Sequence, residues 1–204
     1  MQKYKVKEIF FSLQGEGHYT GTPSVFCRFS GCNLWSGLDK DRTKSVCSFC
    51  DTDFVGGTSY TEDGLVEEIL GTWPGGGRPR VVFTGGEPLL QLKESLIDKL
   101  KKANFNVAVE TNGTKAVPAC GPYWVTVSPK TEEIVVSKGH ELKVLFPNPL
   151  TPPKSFEALE FDYFFVQPIA DSNYESNLKQ AVQFVMENPK WRLSLQQHKV
   201  AGIR

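Results

Sequence analysis

Short apolar runs alternate with amphipathic stretches along the chain. VFCRFS (25–30), RVVFT (80–84), NVAVE (106–110), WVTVS (124–128), LKVLF (142–146), YFFV (163–166) and RLSL (192–195) are β-branched or aromatic, and most are closed by a polar residue, Pro or Gly. They predict strands. Three stripes between them have helical spacing: Leu65, Val66, Ile69 and Leu70, with Glu62 and Asp63 in the first turn; Leu92, Leu96 and Leu100; and Leu178, Ala181, Val182, Val185 and Met186, stopped by Asn188-Pro189. This alternation predicts an α/β chain with a mostly parallel sheet, open or curled toward a barrel. Three helices are too few for an eight-fold barrel, so a single-domain partial β/α barrel over residues 1–204 is expected. Functional residues in either form sit at the C-terminal ends of the strands.

Composition narrows the class. A chain of 204 residues is long enough for one sizeable core. Lys plus Arg and Asp plus Glu both total 23, a balance that gives no sign of a nucleic-acid or membrane-surface binder. No stretch approaches the ~20 apolar residues of a membrane span, and MQKYKVKEIFF lacks the apolar core and cleavage site of a signal peptide. A cytoplasmic protein is expected. Disulfides do not persist there, so the five cysteines point toward metal binding or thiol reactivity wherever they cluster.

Cys32, Cys47 and Cys50 do cluster, as C-x14-C-x2-C, just past the end of the first predicted strand. One turn of the short arm can aim two sulfurs at a metal. Structural zinc normally takes four closed ligands, whereas three thiolates suit a [4Fe–4S] cluster with one iron left open. The residues alone also admit a zinc site completed by His, or a redox pair beside a bystander. Cys27 shares a strand face with Val25 and Phe29, opposite Arg28, and reads as core. Cys120, before Gly121-Pro122, reads as a small packing residue.

RVVFTGGEPLLQ runs from strand through Gly85-Gly86-Glu87-Pro88 into a helix. Two glycines at a strand end let the backbone approach a ligand closely, and Glu87 offers a carboxylate to an ammonium group. Such a turn suits a zwitterion. Three cysteines followed by this turn resemble the radical S-adenosylmethionine (SAM) superfamily. Its common spacing is C-x3-C-x2-C, so the first gap here is eleven residues longer.

FSLQGEGHYTGTPSVFCRFSGCNLW, CSFCDTDF, TGGEPLL, VETNGT, VSPK, LKVLFP, FVQP and LSLQQHK follow in order over the whole chain. Together they resemble the 7-carboxy-7-deazaguanine synthase family, a subgroup of which has the same expanded cysteine spacing. The resemblance implies a sheet smaller than a full barrel, with the insertion at about 33–46 in one radical SAM core. It implies a homodimer, Mg²⁺ beside SAM and the cluster, and a transient electron donor such as flavodoxin or ferredoxin, with no nucleic acid or membrane partner. The implied reaction converts 6-carboxy-5,6,7,8-tetrahydropterin to 7-carboxy-7-deazaguanine with loss of ammonia, on the route to queuosine. A 5′-deoxyadenosyl radical takes the hydrogen at carbon-6, the ring contracts, and SAM is regenerated.

Residue by residue, the resemblance assigns Cys32, Cys47 and Cys50 to the cluster and Thr52 to Mg²⁺. It assigns SAM to Gly85, Gly86 and Glu87, to Ser128, Pro129 and Lys130, and to Gln167, Pro168, Ile169 and Ala170. The substrate falls to Leu13, Gln14, Gly15, Glu16, Arg28, Thr84 and His198. In a close branch a C-terminal proline meets the substrate through its terminal carboxylate, and that place is taken here by Arg204. SGLDKDRTKS (36–45) reads as a solvated loop, with Lys40, Arg42 and Lys44 as surface charge for the electron donor. Two other readings are a glycyl-radical activating enzyme and a zinc-stabilised binding protein without catalysis.

Overall fold

The computed structural model describes residues 3–204. Its nine strands are β1 (Lys3–Leu13), β2 (Pro23–Phe29), β3 (Thr58–Thr61), β4 (Arg80–Gly85), β5 (Asn106–Thr111), β6 (Trp124–Val127), β7 (Lys138–Phe146), β8 (Glu160–Pro168) and β9 (Trp191–Leu193). They hydrogen-bond in the order β3-β1-β2-β4-β5-β6-β7-β8-β9. That order has two ends, so the sheet does not close into a barrel, in keeping with the expected partial β/α architecture. The pairs β2–β4, β4–β5, β6–β7, β7–β8 and β8–β9 are parallel, and β3 runs antiparallel on β1. The helices are α1 (Glu62–Thr72), α2 (Glu94–Lys102), α3 (Tyr174–Glu187) and the short α4 (Gln197–Ala201). None is long and apolar enough to cross a membrane.

The chain divides into two compact units. The first comprises Met1–Ser12, Pro23–Thr111 and Lys115–Val125; the second comprises Leu13–Thr22, Asn112–Thr114 and Thr126–Arg204.

In the first unit α1 and α2 are the crossovers between parallel strands. Thr61 caps α1 by accepting from Gly64 N–H, with Glu62 and Asp63 in the first turn favouring the helix dipole. Leu65 and Ile69 are fully buried while Leu70 is 38% exposed, so the α1 stripe is narrower than expected. The α2 stripe is buried as expected, with Ile97 joining Leu92, Leu96 and Leu100. Cys27 is fully buried and registers with Phe83, which makes it core; burial drives its thiol pKa far up. Strands β1 and β3 have no counterpart among the expected elements. Tyr4 and Val6 of β1 alternate with Lys3, Lys5 and Lys7, a half-buried pattern diluted by charge, and β3 is a four-residue polar edge strand.

Gly71 in α1 has ordinary helical geometry and open space where a Cβ would stand. Gly71→Ala is therefore expected to stabilise the protein by about 0.4–1 kcal/mol, through the entropy of the unfolded chain. Urea denaturation checks this by an increased midpoint at constant slope.

In the second unit α3 packs on β8 and β9, with Trp191 fully buried beside Phe164 and Phe184. Here the expected stripe is corrected. Ala181 is buried, but Val182 is 38% and Met186 79% exposed, and a polar residue, Asn177, takes a core position. Asn177 Nδ2 donates to Ile169 O and to Asp171, both at 3.0 Å, and this polar anchor turns the buried face away from Val182 and Met186.

Candidate active site

The first unit gathers the cysteines and the diglycine turn. None of the five cysteines is paired in a disulfide. Cys32 follows the end of β2, and Cys47 and Cys50 lie in the loop beyond; Cys47 is 5% exposed, the other two half-buried. Cys32 Sγ accepts Leu34 N–H at 3.4 Å. Burial raises the Cys32 pKa, the Leu34 and Trp35 amides oppose that, and the nearby charges of Glu87 and Cys50 add to it. Among the described residues no three His, Cys, Asp or Glu side chains converge as ligands of one metal ion would. A cubane makes a different demand: each thiolate binds its own iron, so the ligands ring the cluster. Three soft thiols on one loop, one already accepting a backbone N–H, form a donor set suited to such a cluster.

The two glycines do a more specific job than sparing room for a ligand. A Cβ on Gly86 would lie 2.2 Å from Gly31 O and 2.7 Å from Cys32 Cβ, and one on Gly85 2.3 Å from Phe29 O. Gly85 also sits at φ +146°, which favours glycine. The turn therefore presses against the exit of β2, where Glu87 N–H donates to Gly31 O at 2.9 Å and Gly86 N–H to Phe29 O at 3.3 Å. Glu87 is fully buried. Its Oε1 accepts Leu89 N–H at 2.9 Å and Thr111 Oγ1–H at 2.7 Å, which locks the turn onto the end of β5. Thr111 was not among the expected site residues, although its place at a strand end two strands from Cys32 was the available signal.

Arg28 and Thr84 are register partners at the C-terminal ends of β2 and β4, so they share one face of the sheet. Arg28 Nε donates to Glu8 at 2.8 Å, and this ion pair orients the guanidinium. Thr52 is half-buried in the loop directly after Cys50.

The second unit centres on Gln14-Gly15-Glu16-Gly17. The Glu16 carboxylate accepts from Lys143 Nζ, from Gln196 Nε2 at 2.8 Å and from Gln167 Nε2 at 3.1 Å. Burial works to raise its pKa, but the Lys143 charge and the donated hydrogen bonds win, and the pKa falls to about 2. Two residues from Lys143 on β7, Glu141 accepts His18 N–H at 3.0 Å. Its carboxylate fills the space where a Gly17 Cβ would lie. Ser194 Oγ accepts Gly17 N–H at 3.0 Å and donates to Gln167 Oε1 at 2.9 Å. Gln197 N–H donates to Gly15 O at 2.9 Å, and the His198 ring lies where a Gly15 Cβ would be, 2.1 Å from Nδ1.

The structure thus brings Gln14–Glu16, Gln167 and His198 into one network. Lys143, Glu141, Ser194 and Gln196 complete it and were missed. Ser128, Pro129 and Lys130 form a closed loop at the end of β6, with Lys130 Nζ donating to Ser128 O at 2.9 Å and to Oγ at 2.7 Å. Past β8, Ile169 is tied by its N–H to Phe146 O. Leu13, Ala170 and the terminal Arg204 are exposed.

Known proteins resemble this chain in sequence and fold. No protein-family model matches the chain. A 7-carboxy-7-deazaguanine synthase of Caulobacter vibrioides is 49% identical over 208 residues, covering 98% of this chain and 99% of that protein. The enzyme of the same name from Nitratidesulfovibrio vulgaris is 49% identical over 214 residues, with the same coverage. The crystal structure of QueE from Escherichia coli superposes with a TM-score of 0.72 at 28% identity, covering 96% of this chain and 95% of that one. With near-half identity over both full lengths and a shared fold, the chain belongs to the 7-carboxy-7-deazaguanine synthase family of radical SAM enzymes.

Proposed function

We propose that this chain converts 6-carboxy-5,6,7,8-tetrahydropterin to 7-carboxy-7-deazaguanine with release of ammonia, supplying queuosine biosynthesis from a cytoplasmic setting in which its thiols stay reduced. Its cofactor is SAM held on a [4Fe–4S] cluster, and together they supply a 5′-deoxyadenosyl radical. Cys32, Cys47 and Cys50 hold the cluster. Gly85, Gly86 and Glu87 shape the turn beside it, and the loops Ser128–Lys130 and Gln167–Ala170 take the rest of SAM.

Substrate recognition falls to Leu13–Glu16, Arg28, Thr84 and His198, with the terminal carboxylate of Arg204 as a further contact. The guanidinium of Arg28 matches a carboxylate bidentately. Glu16, ionised throughout the neutral range and already holding Lys143, Gln167 and Gln196, offers its remaining lone-pair capacity to a ring N–H. Thr52 offers one hydroxyl to a Mg²⁺ that keeps waters and takes a substrate carboxylate oxygen. A homodimer and a flavodoxin- or ferredoxin-like donor complete the assembly. The insertion at 33–46 belongs to the same catalytic core.

One observation carries this reading: the Gly86 turn pressed against Cys32 in a chain nearly half identical to the named enzymes. Anaerobically reconstituted protein with SAM, Mg²⁺, reductant and the carboxy-tetrahydropterin is expected to release ammonia and the deazapurine in equal amounts without net consumption of SAM. An intact cluster with no deazapurine would overturn it.

A further inference from the structure

The fourteen residues between Cys32 and Cys47 are more than a solvated connection. Residues Asp39–Lys44 form a short 3-10 helix that presents Arg42 to the cysteine turn. Arg42 Nη1 donates to Ser48 O at 3.0 Å and to Cys50 O at 2.9 Å. Its Nε and Nη2 both reach Asp39 Oδ1, at 3.1 and 3.0 Å. The guanidinium lies over the ring of Trp35, 4.1 Å from the centroid. Trp35 in turn is buried edge-on against Phe54, and its Nε1–H donates to Leu38 O at 3.2 Å. Gly37 permits this packing, since a Cβ there would lie 2.4 Å from Val55 Cγ2 and 2.9 Å from Phe54 Cε2.

A chain of contacts therefore runs from the buried Phe54 through Trp35 and Arg42 to the carbonyls of Ser48 and Cys50. We propose that Arg42 is a positioning residue for the Cys47/Cys50 pair: it clamps the turn by two carbonyl groups, and the insertion exists to deliver it. Only a planar, multi-donor cation can stack on Trp35, meet Asp39 and bridge two carbonyls at once; a lysine is a single point charge. Its fixed positive charge beside the Cys50 backbone also favours an electron-rich reduced cluster, because net charge and hydrogen bonding near the sulfurs set the potential.

The redox consequence rests on the cluster reading of the cysteines; the clamp itself rests only on the geometry. The full chain with Arg42, Arg42→Lys and Arg42→Met is compared in two ways. Without metal, anaerobic alkylation by iodoacetamide is followed at each cysteine by mass spectrometry. Losing charge-assisted hydrogen bonds from a local opening equilibrium is expected to speed alkylation of Cys47 and Cys50 about tenfold in Arg42→Met, with Arg42→Lys between. Cys32 and the buried Cys27 should keep their rates. Unchanged Cys47 and Cys50 rates would overturn the clamp, as would equal acceleration at all four, which signals general loosening.

After reconstitution, the cluster midpoint potential is read by titration with electron paramagnetic resonance. It should fall in Arg42→Met and hold near the parent value in Arg42→Lys. Equal potentials in all three would overturn the electrostatic role. If Arg42→Met fails to load iron, alkylation still decides the clamp. If the parent chain itself binds no iron and sulfide, the cluster reading has failed while the clamp remains testable.

Discussion

Replacing Lys143 by methionine is expected to cost about 3–5 kcal/mol of stability at pH 7, because a buried carboxylate loses the ammonium group that donates to it while staying buried. The double variant Glu16→Gln with Lys143→Met should recover most of that loss, since no charge is left to desolvate. The pH dependence should change sign as well. In the parent, the Glu16 pKa drops from an ordinary 4.5 to about 2. A depressed carboxylate contributes stability that is full above the unfolded value and disappears as pH falls through the folded one. This contribution, about 3 kcal/mol at ~1.4 kcal/mol per unit, is therefore present at pH 5–8 and lost between about 4.5 and about 2. In Lys143→Met the two Lys143 contributions are gone, and burial, the largest influence on Glu16, is expected to raise its pKa instead. The variant should then be most stable in acid and weaken as pH rises through the raised value. Guanidinium denaturation at pH 4 and pH 7.5, read as variant minus parent, tests both statements. A difference independent of pH would show that Lys143 does not govern Glu16. His198 also acts on Glu16, lowering its pKa, so Lys143→Met is compared with the same change in a His198→Gln background.

That network also marks where the sequence stopped being readable. The strand carrying Lys143 was visible as LKVLF, and every parallel-sheet strand was found to within a few residues at its ends. A β-branched run reports its own burial. Which polar residues are buried with it depends on partners far away in sequence: Glu16 meets Lys143, Gln167 and Gln196 across more than a hundred residues. A local clue existed. A strand with a neighbour on each side in a parallel sheet tends to be continuously apolar, and HELKVLF interrupts that with Glu141 and Lys143 on one face. Two same-face charges inside such a strand imply a buried polar partner. The inserted loop failed differently. Its charges look solvated in sequence, and only the placement of Trp35 against Phe54 shows Arg42 turned inward. By contrast, the C-x-x-C arm and the diglycine turn stood out as motifs because their residues lie close together in the chain. The reason for the glycines was not: it lies in the carbonyls of Phe29 and Gly31, more than fifty residues earlier.

The contact between Gly86 and Cys32 gives the other large expected effect. In Gly86→Ala the new methyl group meets a carbonyl and a Cβ at 2.2 and 2.7 Å, neither on a flexible side-chain end. The turn must move away from the β2 exit, lengthening the Glu87-to-Gly31 hydrogen bond. Overpacking of this kind costs about 1–3 kcal/mol. The functional loss should be larger than the stability loss, because a shift of about 1 Å at a reacting centre lowers turnover on the order of a hundredfold. Gly85→Ala is the matched control. Its methyl group collides with Phe29 O and its φ is strained, yet Cys32 is not among the atoms it strikes. The two variants should lose comparable stability in urea, while Gly86→Ala alone also loses iron and sulfide on reconstitution and most of its deazapurine formation. If both load the cluster equally and differ only in stability, the diglycine turn is a folding device, and the placement of Cys32 is set elsewhere in the loop.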